Sequence, residues 1–261
     1  MKCCICGTVR NCGKYLDNIF AIIEKIGSLF EDYRIILYYD SSTDNTLEKL
    51  NNYSKKNNKL VLLINTEQLL KFRTHRIALG RNKCLKTIRE NFDDYEYFIM
   101  IDCDDRCNYN IKLNLLKNYL LRSDWDSLSF NHPAGYYDTW ALSKRPFVVS
   151  CHNFKNVGLG QKYITNIIRR TPRHKLIRCL SAFNGFSIYR TNKFKDCWYD
   201  GHFRLDYIPK KLLNENIKIA GKVMMPGNSY SKEDCEHRFF HFSAVKRHNA
   251  RIMISPLCLF V

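Results

Sequence analysis

The apolar run Tyr97-Phe98-Ile99-Met100-Ile101 ends abruptly on Asp102-Cys103-Asp104-Asp105. Two carboxylates one residue apart at the mouth of a buried strand gain nothing from packing. Their hard oxygens suit a divalent cation, and a cation held there can grip a diphosphate. A solvated acidic turn produces the same triplet by chance, so its weight depends on the rest of the chain. Asp105 reads equally as a third ligand or as the cap of the next segment. A second cluster places Glu233, Asp234, Glu236 and His237 shortly before the core-seeking pair Phe239-Phe240. So many ionisable groups beside apolar residues mark the edge of a site. Glu236 or Asp234 could take the proton of a hydroxyl. His237 or His241 could complete the metal's coordination, neutral imidazole being suited to Mn²⁺.

The elements that must position these groups alternate. Residues 3–9 read as a strand, and 17–29 as a helix with its apolar stripe at Ile19, Phe20, Ile22, Ile23, Ile26 and Leu29. Residues 33–39 form a second strand, followed by the turn and cap cluster Asp40-Ser41-Ser42-Thr43-Asp44-Asn45-Thr46 and a helix over 47–53. A third strand at 59–65 and a helix at 74–91 precede the strand at 97–101. This rhythm predicts an α/β fold with a mainly parallel central sheet and helices on both faces. Ligands gather at the carboxyl ends of such strands, where Arg10, Asp40 and Asp102 fall. Beyond residue 106 the pattern becomes mixed: a helix at 111–121, a strand at 126–130, the aromatic and polar stretch HPAGYYDTWALSKRPF, and a terminal strand within 251–261. With no repeat or linker, 1–261 reads as one domain.

Six motifs in order resemble a GT-A glycosyltransferase, the nucleotide-sugar-dependent class with a Rossmann-like sheet. YDSSTDNT resembles the turn after its second strand, RTHRIALGRNKCL the basic helix before the metal strand, and FIMIDCDD the metal motif. YYDTWAL, SAFNGFSIYR and DCEHRFFH are most similar to the cryptococcal-mannosyltransferase-like group. The resemblance implies a nucleotide-binding half at 1–105 and an acceptor-binding half at 106–261. It implies Mn²⁺ or Mg²⁺ on Asp102 and Asp104, with Asp104 the more direct ligand. Arg76 and Arg81 could contact phosphate or sugar through guanidinium forks, Asp40 could hold ribose or base, and Arg10 is a further nucleotide contact. Tyr137, Asp138 and Trp140 combine the aromatic and acidic groups that bind sugars. Asn184-Gly185 is a tight turn that can bring backbone to a ligand. The implied reaction moves a hexosyl unit from GDP-mannose or a UDP-sugar to a glycan or protein hydroxyl, with retention or inversion left open.

The composition bounds these readings. Hydrophobic residues make up 45% of the chain, enough for a core, and no apolar run approaches a membrane span. Without a secretion signal, the twelve cysteines read as reduced thiols, and no second cysteine group completes a zinc site with those at the N-terminus. A cytoplasmic location is expected, including host cytoplasm or the virion should the chain be viral. The formal charge, 42 − 25 = +17, attracts polyanions. The basic residues read as spread along the chain, which speaks against specific nucleic-acid recognition. A basic nucleic-acid-binding protein and an inactive glycosyltransferase-like binding module remain the alternatives.

Overall fold

A computed structural model of the protein describes residues 1–149, 158–220 and 232–261. Its eight strands form one sheet in the order β3-β2-β1-β4-β7-β5-β8-β6. The first half is β1 (Lys2–Val9), α1 (Gly13–Gly27), β2 (Asp32–Tyr39), α2 (Thr46–Lys56), β3 (Leu60–Ile64), α3 (Arg73–Asn91) and β4 (Tyr97–Ile101). These four strands are mutually parallel. The strand period divides their side chains between two cores. Cys3, Ile5 and Ile99 pack with α1 residues Leu16, Ile19, Ile23 and Ile26. Cys4, Cys6, Phe98 and Met100 pack on the other face with α3 residues Cys84, Leu85 and Ile88. All eleven cysteines among the described residues are free, and ten of them are buried.

The second half comprises α4 (Leu113–Leu120), β5 (Ser127–Asn131), α5 (Gly158–Arg170), β6 (Ile177–Cys179), β7 (Phe186–Arg190), α6 (Lys210–Ala220), α7 (Glu236–His248) and β8 (Ile252–Cys258). Here the sheet becomes mixed, as the change of pattern beyond residue 106 implies. β7 runs antiparallel to β4 and β5, β8 parallel to β5, and β6 antiparallel to β8. The Asn184-Gly185 turn is the local cause. Both residues hold positive φ (64° and 85°), and the Gly185 carbonyl accepts a hydrogen bond from Asp102 N at 2.8 Å. The chain therefore enters β7 beside the carboxyl end of β4 and has to run back down it.

Helix α1 begins four residues before its apolar stripe suggests. Its cap comes from another loop: Asp44 Oδ2 accepts from Gly13 N at 3.0 Å, and Thr46 Oγ1 accepts from Cys12 N at 2.9 Å. Asp44 thus ties the β1–α1 and β2–α2 turns together at the ligand end of the sheet.

Candidate active site

A cleft opens at the carboxyl ends of β1, β2 and β4. One part, of about 200 Å³, is lined by Arg10, Asp40, Arg73, Arg76, Asp102 and Asp104, among others. A neighbouring part, of about 160 Å³, shares Arg73, Asp102 and Asp104 and adds Arg81, Tyr137, Asp138, Trp140, Glu236 and His237. The two parts meet at the paired aspartates.

In the first part Asp40 is nearly buried. Asn65 Nδ2 donates to its Oδ1 at 3.0 Å, while the Nε atoms of Arg76 and Arg10 lie 3.6 and 3.9 Å from Oδ2. Arg76 also donates to the Leu70 carbonyl at 2.7 Å. At the junction, burial and the adjacent Asp104 charge push Asp102 up to about 8, against the pull of Arg81. Burial raises Asp104 as well. Two carboxylates crowded into one cleft, each penalised when charged, are a donor set whose repulsion a divalent cation would relieve. The residues fit such an ion.

The late acidic segment folds back onto this junction, and its four ionisable residues do four different things. Glu233 caps α3, accepting from Thr74 N and Thr74 Oγ1, both at 3.0 Å. Asp234 turns away from the cleft and pairs with fully buried Arg238 at 2.9 Å. Glu236 faces the cleft and accepts from Arg81, which also pairs with Asp102 at 3.0 Å. His237 lies in the cleft wall, stacked on Phe183 with centroids 3.8 Å apart. Of the two residues expected to share the general-base role, only Glu236 reaches the cleft, and a buried cation neutralises it.

Arg81 is a hub rather than an open phosphate contact. Only 3% exposed, it remains charged because Glu236 and Asp102 outweigh its burial. It also donates to His237 Nε2. The neutral imidazole then carries its proton on Nδ1, which is buried without a partner among the described residues. His237 can offer Nε2 to a cation only by releasing Arg81. His241, the other histidine expected near the metal, sits in the core outside the cleft lining, with Nδ1 at 3.0 Å from Ser181 Oγ and Nε2 at 3.3 Å from the Tyr189 hydroxyl.

Burial, with repulsion from Arg81 and Arg238, pushes His241 down to about 3 from an ordinary value of 6.5. As pH falls below 6.5 the unfolded chain binds a proton there that the folded chain refuses. This contribution is therefore complete above that value and lost on the way down to about 3. One such group changes stability by up to about 1.4 kcal/mol per pH unit. Urea unfolding across this range should show His241→Gln losing less stability with acid than the parent. Parallel pH profiles for the two proteins would contradict the assignment.

On the acceptor side, Asp138 accepts backbone hydrogen bonds from Ala141 N (3.1 Å) and Asn184 N (3.3 Å). It makes no salt bridge among the described residues, and burial raises its pKa. The Tyr137 ring lies against Arg106 at 4.5 Å, and its buried hydroxyl has no hydrogen-bond partner among the described residues. Trp140 completes this wall. Asn184 and Gly185 stand behind the site instead of lining it. Asn184 Oδ1 accepts from Tyr137 N and Asp138 N, both at 3.1 Å, while Gly185 anchors Asp102. Arg73 escaped the sequence reading. It is exposed at the start of α3, borders both parts of the cleft, and makes no side-chain hydrogen bond or ion pair with another described residue. Its place one turn before Ile77, in a motif already rich in arginine, was the available signal.

The sheet order and the cleft at its carboxyl edge are those of the GT-A glycosyltransferase fold. The chain belongs to glycosyl transferase family 2, whose model matches residues 4–198. No curated protein sequence matches it. Among solved structures, S. aureus TarS 1-349 is similar with a TM-score of 0.51 at 17% identity, over 100% of this chain and 60% of that one. The same protein in complex with UDP gives 0.52 at 17% identity, over 100% and 60%. Its complex with UDP-GlcNAc gives 0.52 at 16%, over 100% and 58%. The present chain thus spans about three fifths of those chains.

Proposed function

We propose that the protein is a glycosyltransferase that moves a hexosyl unit from a nucleotide sugar to a hydroxyl acceptor. The observation that carries this reading is the junction itself: one cleft, divided by Asp102 and Asp104 into a part lined by Arg10, Asp40 and Arg76 and an acidic, aromatic part. Asp40, Arg10 and Arg76 line the nucleotide side, and Arg73, which borders both parts of the cleft, is available to a diphosphate held at the junction. Asp102 and Asp104 would hold Mn²⁺ or Mg²⁺, which supplies charge stabilisation for the departing diphosphate. Tyr137, Asp138 and Trp140 bracket the sugar. Asp138 is the carboxylate best suited to receive the acceptor's proton, because it makes no salt bridge among the described residues and burial raises its basicity against the more distant pull of Arg81 and Arg73. Glu236, neutralised by Arg81, holds the junction in shape. The likeness of YYDTWAL, SAFNGFSIYR and DCEHRFFH to the cryptococcal-mannosyltransferase-like group favours GDP-mannose as donor, with UDP-sugars the other candidates.

A thermal-shift panel of UDP-, GDP- and CMP-sugars with and without Mn²⁺ tests this reading. The true donor should stabilise the protein by about 2.7 kcal/mol at a hundredfold excess over Kd, and only with the metal. Asp138→Asn should then lower kcat with little change in donor affinity, the pattern of a group that acts in the transition state. A protein that no nucleotide sugar stabilises would refute the function. An Asp138→Asn variant with full turnover would refute only the residue's role.

A further inference from the structure

The charge of +17 is not spread evenly. Residues 139–195 contain twelve Lys or Arg and no Asp or Glu. Within them, α5, the 171–176 turn and β6 form one continuous face at the edge of the sheet. Lys162, Arg169, Arg170, Arg173, Lys175 and Arg178 are all exposed on it, and none forms a salt bridge with another described residue. The apolar side of α5 is spent inward: Ile164 is buried, and Ile167 and Ile168 pack against the core beneath. Where this face meets the rest of the protein, Arg122 donates to the His174 carbonyl at 2.9 Å while pairing with Asp124, so that carboxylate is already neutralised.

We propose that this face docks the protein on an anionic phospholipid surface. A single-sign field of six unpaired cations, on a helix, a turn and an edge strand, matches a plane of negative headgroups. Two observations favour lipid over nucleic acid. None of these residues lines either part of the cleft described above. Tyr163, the one phenol within it, is half-buried against Phe147 with its hydroxyl donating to the Arg145 carbonyl, so the His174 imidazole is the one exposed ring on α5, the turn and β6, too few for a base-stacking platform. The topology adds an orientation. β6 runs antiparallel to β4, so its start and the 171–176 turn lie at the same end of the sheet as Asp102. The face and the cleft are four strands apart, roughly 19 Å at the usual spacing. A protein docked this way keeps its cleft four strands from the docked edge, at the end of the sheet where the 171–176 turn lies.

Co-sedimentation of the full chain with vesicles tests the proposal, independently of any glycosyl transfer. The protein should bind mixed phosphatidylserine and phosphatidylcholine vesicles, leave pure phosphatidylcholine in solution, and dissociate as salt rises. Each cation removed from the face should weaken binding about fivefold, so R169Q/R170Q/R173Q should lose about 100-fold. The control K25Q/K55Q/K56Q removes as many exposed charges from α1 and α2 and should stay within about threefold of the parent if only the face meets the lipid. All six positions are exposed, so both variants should fold, which their melting curves will show. Three results would overturn the proposal: no binding to the anionic vesicles, equal losses in the two variants, or tighter binding to duplex RNA than to vesicles at the same salt.

Discussion

Asp104→Ala is expected to remove Mn²⁺-dependent nucleoside diphosphate binding almost entirely, while Asp105→Ala leaves it nearly intact. The two residues are adjacent, but the fold treats them differently. Asp104 borders both parts of the cleft, and its Oδ1 accepts from Arg106 N at 3.0 Å, which fixes the carboxylate at the end of β4. The Asp105 side chain is 59% exposed and, among the described residues, pairs only with Arg106, at 3.9 Å. Loss of a hydrogen-bonding partner behind a metal ligand typically costs 10–100-fold in affinity, so loss of a ligand itself should cost at least about 100-fold. A change within about twofold is expected at Asp105, where the surface ion pair contributes little. Calorimetry with the best diphosphate from the nucleotide panel, with Mn²⁺ and in EDTA, separates the two variants. The bare nucleoside, which does not reach the aspartates, should bind both alike. Undiminished diphosphate binding in EDTA would show that Asp102 and Asp104 hold no cation.

What the sequence disclosed here, and what it withheld, follows from the range of the interactions involved. β4 was legible to the residue because a buried strand is a continuous apolar run and its end is marked by carboxylates. That the late acidic segment belongs with it was legible from residue type. Which of its side chains faces the cleft was not, because that depends on where α7 starts. The helix begins at Glu236, so Asp234 falls just outside it and finds Arg238 four residues on, while Glu236 and His237 turn toward Arg81. Asn184-Gly185 was legible as a turn, but that its partners are Asp102 and the 137–138 backbone is a tertiary fact. The start of α1 was hidden for the same reason, since its capping carboxylate lies 31 residues away. The antiparallel return through β7 hangs on that same turn, and no hydrophobic period records strand direction.

Arg81 shows how far residue type can mislead when burial is unknown. In the sequence it is one of several arginines on a basic helix. In the fold it is the one arginine or lysine paired with Glu236 among the described residues, and it lies over the Phe183 ring at 4.6 Å. Removing one member of a buried pair strands the other charge in the interior, at a cost of about 3–5 kcal/mol. Arg81→Met, which keeps much of the volume, should therefore destabilise the protein by that amount and lower Tm by roughly 6–20 °C for a chain of this size. Arg81→Lys should rescue little, because one ammonium cannot serve Glu236, Asp102 and His237 as the guanidinium fork does. The decisive variant is the double substitution Arg81→Met with Glu236→Gln. It removes the stranded charge along with its partner, and it should recover at least about 1 kcal/mol of the loss as a coupling energy in urea unfolding. Additive losses in that cycle, or an Arg81→Met protein as stable as the parent, would mean that Glu236 and Arg81 do not depend on each other in the folded state.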